Sequence, residues 1–222
     1  MVVNMIKRSV GRPKLLSRKH VINTAFSEYW LHGINNVPVS KIALLAGVSR
    51  TGIYIEFGSE DKMQVEVIKK YFNEAIKPVY KNYANYKNFP NQLINTYYAI
   101  IDSGNKNLTE DDSYNKIKRS KKTIGCFHQR NILNISNLGP LAFKEVKKIE
   151  AYREQQLIKY ILDAQNDDVL YKNFDADFSV SYILEQFKLV QLMKLEGSSN
   201  TYIKKILHTL LEPFFNKKEM LH

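Results

Sequence analysis

The sequence has 222 residues, of which 44% are hydrophobic and 25% charged, and this composition is typical of a globular protein with one large domain or a small domain joined to a larger one. A single cysteine, Cys126, excludes an intrachain disulfide and favours a reducing, cytoplasmic location. No apolar run approaches the roughly 20 residues that cross a bilayer, and the first residues lack the long apolar segment of a signal peptide.

The positive charge is concentrated near the N-terminus. The net charge is +11, and residues 1–58 carry eight basic and two acidic side chains, whereas the other 164 residues are nearly balanced at +5. A strong positive charge predicts a polyanionic partner, either nucleic acid or a membrane surface. Its location predicts a basic N-terminal module on a nearly balanced body.

The spacing of apolar residues predicts helices along most of the chain, because they recur three and four positions apart rather than alternating. Ser17 can cap a first helix that ends at Gly33, and a short second helix follows with Pro38 in its first turn. Gly47 then makes a turn, and a third helix covers about 50–57.

Ser59 can cap a long fourth helix that Pro78 ends or kinks. Its inner stripe is predicted to hold Met63, Val67, Ile68, Tyr71, Phe72 and Ala75. Later helices are predicted at about 90–103, 125–135 and 140–166, then from Asp175 or Asp177 to Gly197, and at about 199–215. The inner stripe of the 140–166 helix is predicted to hold Phe143, Val146, Ile149, Leu157, Ile161 and Leu162, and residues 105–123 are predicted to form a polar loop.

Residues 39–57 (VSKIALLAGVSRTGIYIEF) allow two interpretations: a plain α-hairpin in a bundle, or a helix-turn-helix that contacts DNA. Ala43 is small enough for two helices to cross closely, and Gly47 suits the left-handed turn between them. The helix-turn-helix directs Arg50, Thr51 and the residues that follow them outward. Both interpretations require five apolar side chains inside: Ile42, Leu45, Val48, Ile53 and Phe57.

The N-terminal third resembles the DNA-binding domain of the tetracycline-repressor (TetR) family of bacterial transcriptional regulators. The matching features are a basic arm, an amphipathic helix, a helix–Gly–helix unit and a Tyr-x-x-Phe-x-Ser stretch that leads into a long helix. They are carried by Phe26, Gly33, Ile42-Ala43, Ala46-Gly47-Val48-Ser49, Tyr54, Phe57 and Ser59. Weaker similarities are Gly125-Cys126-Phe127 and the segment from Asp175 to Gly197.

The resemblance implies DNA contacts from Ser40, from Arg50, Thr51 and Gly52 at the start of the recognition helix, and from Tyr54 to a phosphate. Tyr54 also has an alternative interpretation as a half-buried core residue.

Two acids depart from the family pattern. Glu60 stands where the family has a phosphate-contacting Lys, and Lys62 either replaces that contact or is simply solvated. Glu56 either accepts a hydrogen bond from a cytosine amino group or faces water.

The arm before the first helix contains Val10-Gly11-Arg12-Pro13-Lys14. Gly-Arg-Pro is the core of the AT-hook, in which Arg lies in a narrow minor groove. Arg12 and Lys14 are therefore predicted minor-groove contacts, and a solvated basic tail is the alternative.

The resemblance implies an all-α chain with a flexible arm (1–16), a three-helix DNA-binding domain (17–62) and a larger helical regulatory and dimerisation domain (63–222). It implies a homodimer paired through the last two long helices, about 177–215, and a small-molecule effector in the body. Tyr97, Tyr98, Phe127 and Asn131 are candidates for the effector cavity, with Gln129 and Arg130 beside them. The aromatic residues can equally belong to the core.

The sequence predicts no enzyme, cofactor or metal site. The five His residues are scattered without partners at metal-ligand spacing, and no phosphate loop or nucleophile elbow is present. We therefore predict a ligand-responsive repressor of a palindromic DNA operator. The alternatives are a protein of the same fold that binds DNA without a small-molecule effector and, from another class, a helical-bundle enzyme or lipid carrier.

Overall fold

A computed structural model describes residues 16–82, 89–103, 125–166, 170 and 175–213, and their architecture is all-α, as predicted. The basic arm with Arg12 and Lys14, and the predicted loop at 105–123, lie outside the described residues. The helices are α1 (Arg18–His32), α2 (Val39–Ala46), α3 (Arg50–Phe57), α4 (Glu60–Tyr71), α5 (Lys77–Asn82), α6 (Phe89–Ile101), α7 (Phe127–Leu133), α8 (Pro140–Asn166), α9 (Ala176–Leu195) and α10 (Asn200–Leu211).

The first helices begin and end at the predicted signals. Ser17 caps α1 by accepting a hydrogen bond from the His20 N–H, and Gly33 ends the helix with φ +89°. Pro38 lies at the N-cap of α2, so it comes one position before the first turn of the helix, in which the sequence predicts it. Short 3₁₀ turns at Ile34–Asn36 and Ile135–Asn137 follow α1 and α7.

The fourth helix changes its winding ahead of Pro78 rather than ending there. Ser59 caps α4 as predicted, and its side chain accepts from the Lys62 N–H at 3.1 Å. A π-turn then occupies Phe72–Ile76, in which the Lys77 N–H bonds the carbonyl of Phe72, five residues back. The helix continues as α5 through Pro78. The wider turn fits the fact that a proline in regular α-helix would clash with the carbonyl four residues before it.

The body of the protein is built around α8. Its 27 residues pack against α4 on one side and α9 on the other, and α9 also contacts α6, α7 and α10. Two residues of the predicted inner stripe of α8 are wrongly assigned: Phe143 and Leu162 are 41% and 46% exposed. Val146, Ile149, Leu157 and Ile161 are buried. The buried face of α8 therefore excludes Phe143 and Leu162 and includes two charged residues, Glu150 and Arg153.

An aromatic cluster joins the N-terminal helices to the body. Trp30 packs edge-on against Tyr71 with ring centres 5.3 Å apart, and Phe127 packs edge-on against Phe26 at 5.9 Å. The Trp30 indole N–H also donates to the carbonyl of Gly125 at 3.2 Å. One continuous core thus crosses the predicted domain boundary at residue 62, which stays a prediction.

None of the described helices is both long and apolar enough to cross a membrane.

Candidate nucleic-acid interface

The α2–α3 unit has the geometry of a helix-turn-helix. Gly47 takes the left-handed conformation (φ +65°, ψ +33°) and its N–H bonds the last carbonyls of α2. Ser49 caps α3 by accepting from the Gly52 N–H at 2.9 Å. Ala43 is buried at 4% exposure, so its small side chain lets the helices pack closely. The turn therefore fixes α3 with its first residues in solvent.

Five apolar side chains in this unit were expected inside, and Leu45 is the exception. It is 50% exposed, whereas Ile42, Ile53 and Phe57 are buried and Val48 packs against the core. Leu45 is exposed because it lies with Leu44, which is 79% exposed, on the outer side of α2, whose one buried face is formed by other residues.

The predicted contact residues at the start of α3 come together on its outer side. Arg50 and Thr51 are exposed, and Tyr54 is half-buried one turn later. Arg50 Nη2 donates to the Tyr54 hydroxyl at 3.4 Å, and the guanidinium lies 5.5 Å from the Tyr54 ring centre. The Tyr54 ring packs against the core while its hydroxyl faces Arg50, so it is a partly buried residue, and its contact to a phosphate stays a prediction.

Gly52 has a local structural reason to be glycine. A Cβ at this position would lie 3.0 Å from the Ser49 hydroxyl and 3.4 Å from Leu16. A side chain would therefore crowd the cap of α3. Ser40 and Lys62 are exposed, on α2 and on the first turn of α4.

Glu56 has a role that neither interpretation of the sequence anticipated. Its carboxylate accepts from Arg18 Nη1 at 2.8 Å, and Arg18 also bonds Glu66 and lies over the ring of Phe57, 4.4 Å from its centre. Arg18 thereby ties α1 to α3 and α4. Since both groups of the Arg18–Glu56 pair are about 40% exposed, the pair adds at most about 1 kcal/mol to stability.

Glu60, the second acid, is a neighbour of Arg50. Burial raises the pKa of Glu60, and the nearby charge of Arg50 opposes that rise. The charge at this edge of the interface is therefore partly balanced within the protein.

The remaining positive charge of the described interface is easily located. Lys41 is paired with Glu28 at 2.8 Å, and Arg18 is paired as described above. Within the N-terminal unit, defined as the described residues 16–62, Lys19, Arg50 and Lys62 form no ion pair. These three cations are free to meet phosphates.

The candidates for an effector cavity are dispersed. Tyr97 is buried, donates to the Ile183 carbonyl at 2.8 Å and stacks on Phe187 at 4.0 Å. Phe127 belongs to the aromatic cluster. Tyr98 is half-buried and its hydroxyl contacts His208 Nε2. Asn131 is buried beside a cleft between the N-terminal unit and the body.

A small cavity in the body lies against a buried polar cluster. The cavity has a volume of about 20 Å³, room for a water molecule rather than an effector, and Gln129 and Arg153 are among the residues that line it. Glu150 accepts from Arg153 Nη1 at 2.6 Å and bonds His128 Nε2 at 2.8 Å. Burial alone would raise the pKa of Glu150, but Arg153 and then His128 lower it to about 2. Sequence reasoning missed this cluster.

Two charged caps connect the N-terminal unit to the body. Asp61 of α4 accepts from the backbone N–H groups of Leu141 and Ala142 at the start of α8, both at 2.8 Å. In the opposite direction, Arg130 of α7 donates to the carbonyls of Trp30 and Leu31 at the end of α1, at 2.9 and 3.1 Å. An acid at a helix N-terminus and a cation at a helix C-terminus both favour the helix dipole.

Comparisons with known proteins agree with this fold. No family model matches the chain. The chain is 21% identical over 208 residues to the HTH-type transcriptional repressor ComR of Escherichia coli K12, covering 93% of this chain and 92% of that protein.

Two solved structures are similar along almost the whole chain. A transcriptional regulator from Saccharomonospora viridis in complex with choline is 16% identical, covers 90% of this chain and 98% of its own, and superposes with a TM-score of 0.67. A cysteine-substituted form of the TetR-family regulator CifR, bound to a 26-base-pair operator, is 11% identical, covers 92% and 100%, and superposes with a TM-score of 0.69. The fold is therefore that of TetR-family regulators.

Proposed function

We propose that this chain, which has the fold of TetR-family regulators, is a sequence-specific DNA-binding transcriptional regulator. The observation that carries the proposal is the α2–Gly47–α3 unit, which holds Arg50, Thr51 and Tyr54 together on an exposed face. A helix presented in this way can enter a major groove with its first residues against base edges. Arg50 is suited to a guanine, and Tyr54 to a phosphate.

The protein acts as a homodimer whose subunits pair through α9 and α10. Large apolar side chains are exposed along these helices: Phe178, Leu189, Leu192 and Leu195 on α9, and Tyr202 on α10. An apolar surface of this kind is typical of an interface between subunits. A two-fold dimer presents two copies of α3 to successive major grooves about 34–36 Å apart, so the operator is expected to be a near-palindrome.

The outcome is repression, relieved by a small-molecule effector. This part rests on the capped connections between α1, α4, α7 and α8, because a ligand that moves α7 or α8 also moves the helices that position α3. A ligand shifts the equilibrium toward the arrangement that it binds better, which weakens DNA binding if that arrangement spaces the two α3 helices poorly. ComR is a repressor, and the S. viridis structure contains choline.

A second candidate is a DNA-binding protein of the same fold that responds to protein partners rather than to a small molecule. The observation that favours it is the small volume of the cavity in the body, about 20 Å³.

DNA selected from a random pool by the full chain provides the test of DNA binding. We expect one enriched near-palindromic sequence, bound with a steep dependence on salt. Arg50→Ala should weaken binding by roughly tenfold or more and relax the preference at one position of each half-site, since a bidentate contact to a base contributes about 1–3 kcal/mol. Tyr54→Phe should weaken binding to all sequences alike.

The matched control is Lys159→Ala, which removes an exposed cation from α8, outside the proposed dimer interface. Its affinity should equal that of the unmodified protein. If Arg50→Ala and Tyr54→Phe bind the selected DNA as tightly as the control does, α3 is not the recognition helix. A monomer in sedimentation at micromolar concentration would exclude the dimer.

A further inference from the structure

A polar cleft lies where the N-terminal unit meets the body. Its walls include Gly33 and Asn36, at the end of α1, and Arg130, Asn131 and Asn134, from α7 and the residue after it. Its volume is about 210 Å³, compared with about 20 Å³ for the cavity in the body. It can hold a small organic molecule, which the cavity in the body cannot.

Asn131 provides a buried donor with nothing to donate to. The residue is 2% exposed, and its Nδ2 has no hydrogen-bond partner among the described residues. Buried amide groups are almost always hydrogen-bonded, because an unpaired donor has given up its water without replacement. An acceptor placed in the cleft would satisfy it.

Arg130 provides a cation without an acid. Its Nη1 donates to the carbonyls of Trp30 and Leu31, and no described carboxylate pairs with it. Its partial burial takes the charge partly out of water, which lowers its pKa. A Cβ on Gly33 would lie 3.5 Å from Arg130 Nε and 3.7 Å from Nη2, so a residue without a side chain leaves this edge of the guanidinium open.

Two further amides are already oriented. Asn36 Nδ2 donates to the His32 carbonyl at 2.9 Å, and Asn134 Nδ2 donates to the Arg130 carbonyl at 2.9 Å. With the nitrogens engaged, the oxygens of both amides remain as acceptors. The cleft thus combines a positive charge, a free donor and two acceptors, and none of the described residues that line it is acidic.

We propose that this cleft binds a small carboxylate that carries hydroxyl groups. Arg130 and Asn131 donate to the carboxylate, and the amide oxygens of Asn36 and Asn134 accept from the hydroxyls. A hydroxy acid fits better than an amino acid, because the described lining offers no carboxylate to balance an ammonium group.

Binding here would act on the end of α1. The guanidinium that would hold the ligand also caps the carbonyls of Trp30 and Leu31, so occupancy of the cleft changes the attachment of α1 to α7. This regulatory consequence rests on the proposed function in DNA binding, whereas binding of the ligand does not.

Calorimetric titration of the full chain without DNA provides the test, with L-malate, succinate and glycerol as probes at constant ionic strength. L-malate has both groups, succinate lacks the hydroxyl and glycerol lacks the carboxylate. We expect malate to bind, succinate to bind at least fivefold more weakly and glycerol not to bind. Asn131→Asp, which places an anion beside the carboxylate, should weaken malate binding at least tenfold, as should Arg130→Gln.

Two controls keep the result interpretable. Lys144→Gln removes an exposed cation from α8, away from the cleft, and should bind malate normally. Asn131→Asp keeps the cap on α1, so its thermal unfolding shows that a loss of binding is not a loss of fold. The proposal is overturned if malate does not bind at millimolar concentration, or if Asn131→Asp and Lys144→Gln bind it equally well. Operator binding with and without malate is measured separately, so a failure of DNA binding leaves the titration result standing.

Discussion

Replacing Arg153 by methionine should destabilise the protein strongly, because it leaves a buried carboxylate without its cation. Glu150 would lose the 2.6 Å bond from Arg153 Nη1, Tyr80 would lose its bond from Arg153 Nε at 3.2 Å, and Phe187 would lose the guanidinium 5.1 Å from its ring centre. Removing one member of a buried ion pair typically costs about 3–5 kcal/mol. We expect a loss of that size in the free energy of unfolding at pH 7.

The double variant Arg153→Met with Glu150→Leu should recover most of this loss. An apolar pair of similar volume leaves no charge uncompensated, and such replacements are often neutral or stabilising. The loss in the single variant should also depend on pH. Glu150 in the unmodified protein has its pKa lowered to about 2, so its contribution is present above pH 4.5 and is lost as the pH falls toward 2. Without Arg153, burial raises that pKa against the weaker lowering by His128, so we expect acid to reduce the penalty in the variant.

Urea unfolding at fixed protein concentration, at pH 7 and pH 4, measures these differences. Lys188→Met is the matched control, because Glu185 and Lys188 have the same three-residue spacing in an exposed pair, and it should change stability by less than about 0.5 kcal/mol. A loss below 1 kcal/mol in Arg153→Met, or no recovery in the double variant, would refute the reasoning.

Four further substitutions test two acids at the start of α4, Asp61 and Glu60. Asp61→Ala should lower the free energy of unfolding by about 2 kcal/mol and Asp61→Asn by about half of that, since the carboxylate caps two N–H groups of α8. Urea unfolding measures both effects. The control is Glu154→Ala, at an exposed position of α8. Glu60→Lys should tighten DNA binding and steepen its salt dependence by about one unit of slope. Because burial raises the pKa of Glu60, its ionised form disfavours the native state above pH 4.5. Glu60→Gln should therefore be at least as stable as the unmodified protein at pH 7. Well below pH 4.5, where Glu60 is protonated, the substitution should bring no gain in stability. An unchanged salt slope, or a less stable Gln variant at pH 7, would contradict these expectations.

The parts of the fold that sequence predicted are those set by neighbours in the chain. Gly47 ends α2 because few other residues adopt its conformation cheaply, and Ser17 and Ser59 cap helices that begin at the next residue. These signals also located Arg50, Thr51 and Tyr54 on the outer side of α3.

The parts that sequence did not predict depend on distant residues. Glu56 meets Arg18, 38 positions away, and no local pattern indicates that pairing. The cluster of Glu150 and Arg153 does have a signature in the sequence. Val146, Glu150, Arg153 and Leu157 are spaced four, three and four apart, which places two charges on the inner face of the helix. Charged side chains usually indicate an exposed helix face. Here the two charges pair with each other, and their further partners, His128 and Tyr80, lie on other helices that no local pattern identifies.

The π-turn at Phe72–Ile76 sets the direction in which the side chains of α5 point. Each residue of an α-helix advances the chain by about 100°, so the wider turn rotates α5 relative to α4 by about the angle of one residue. Tyr80 lies beyond it, and there its hydroxyl accepts from Arg153 while its carbonyl accepts from Tyr160. Deleting a single residue from this stretch would restore a regular helix and turn Tyr80 away from both partners. The chain thus contains one residue more than a straight helix needs, and the polar interior of the body depends on that extra residue.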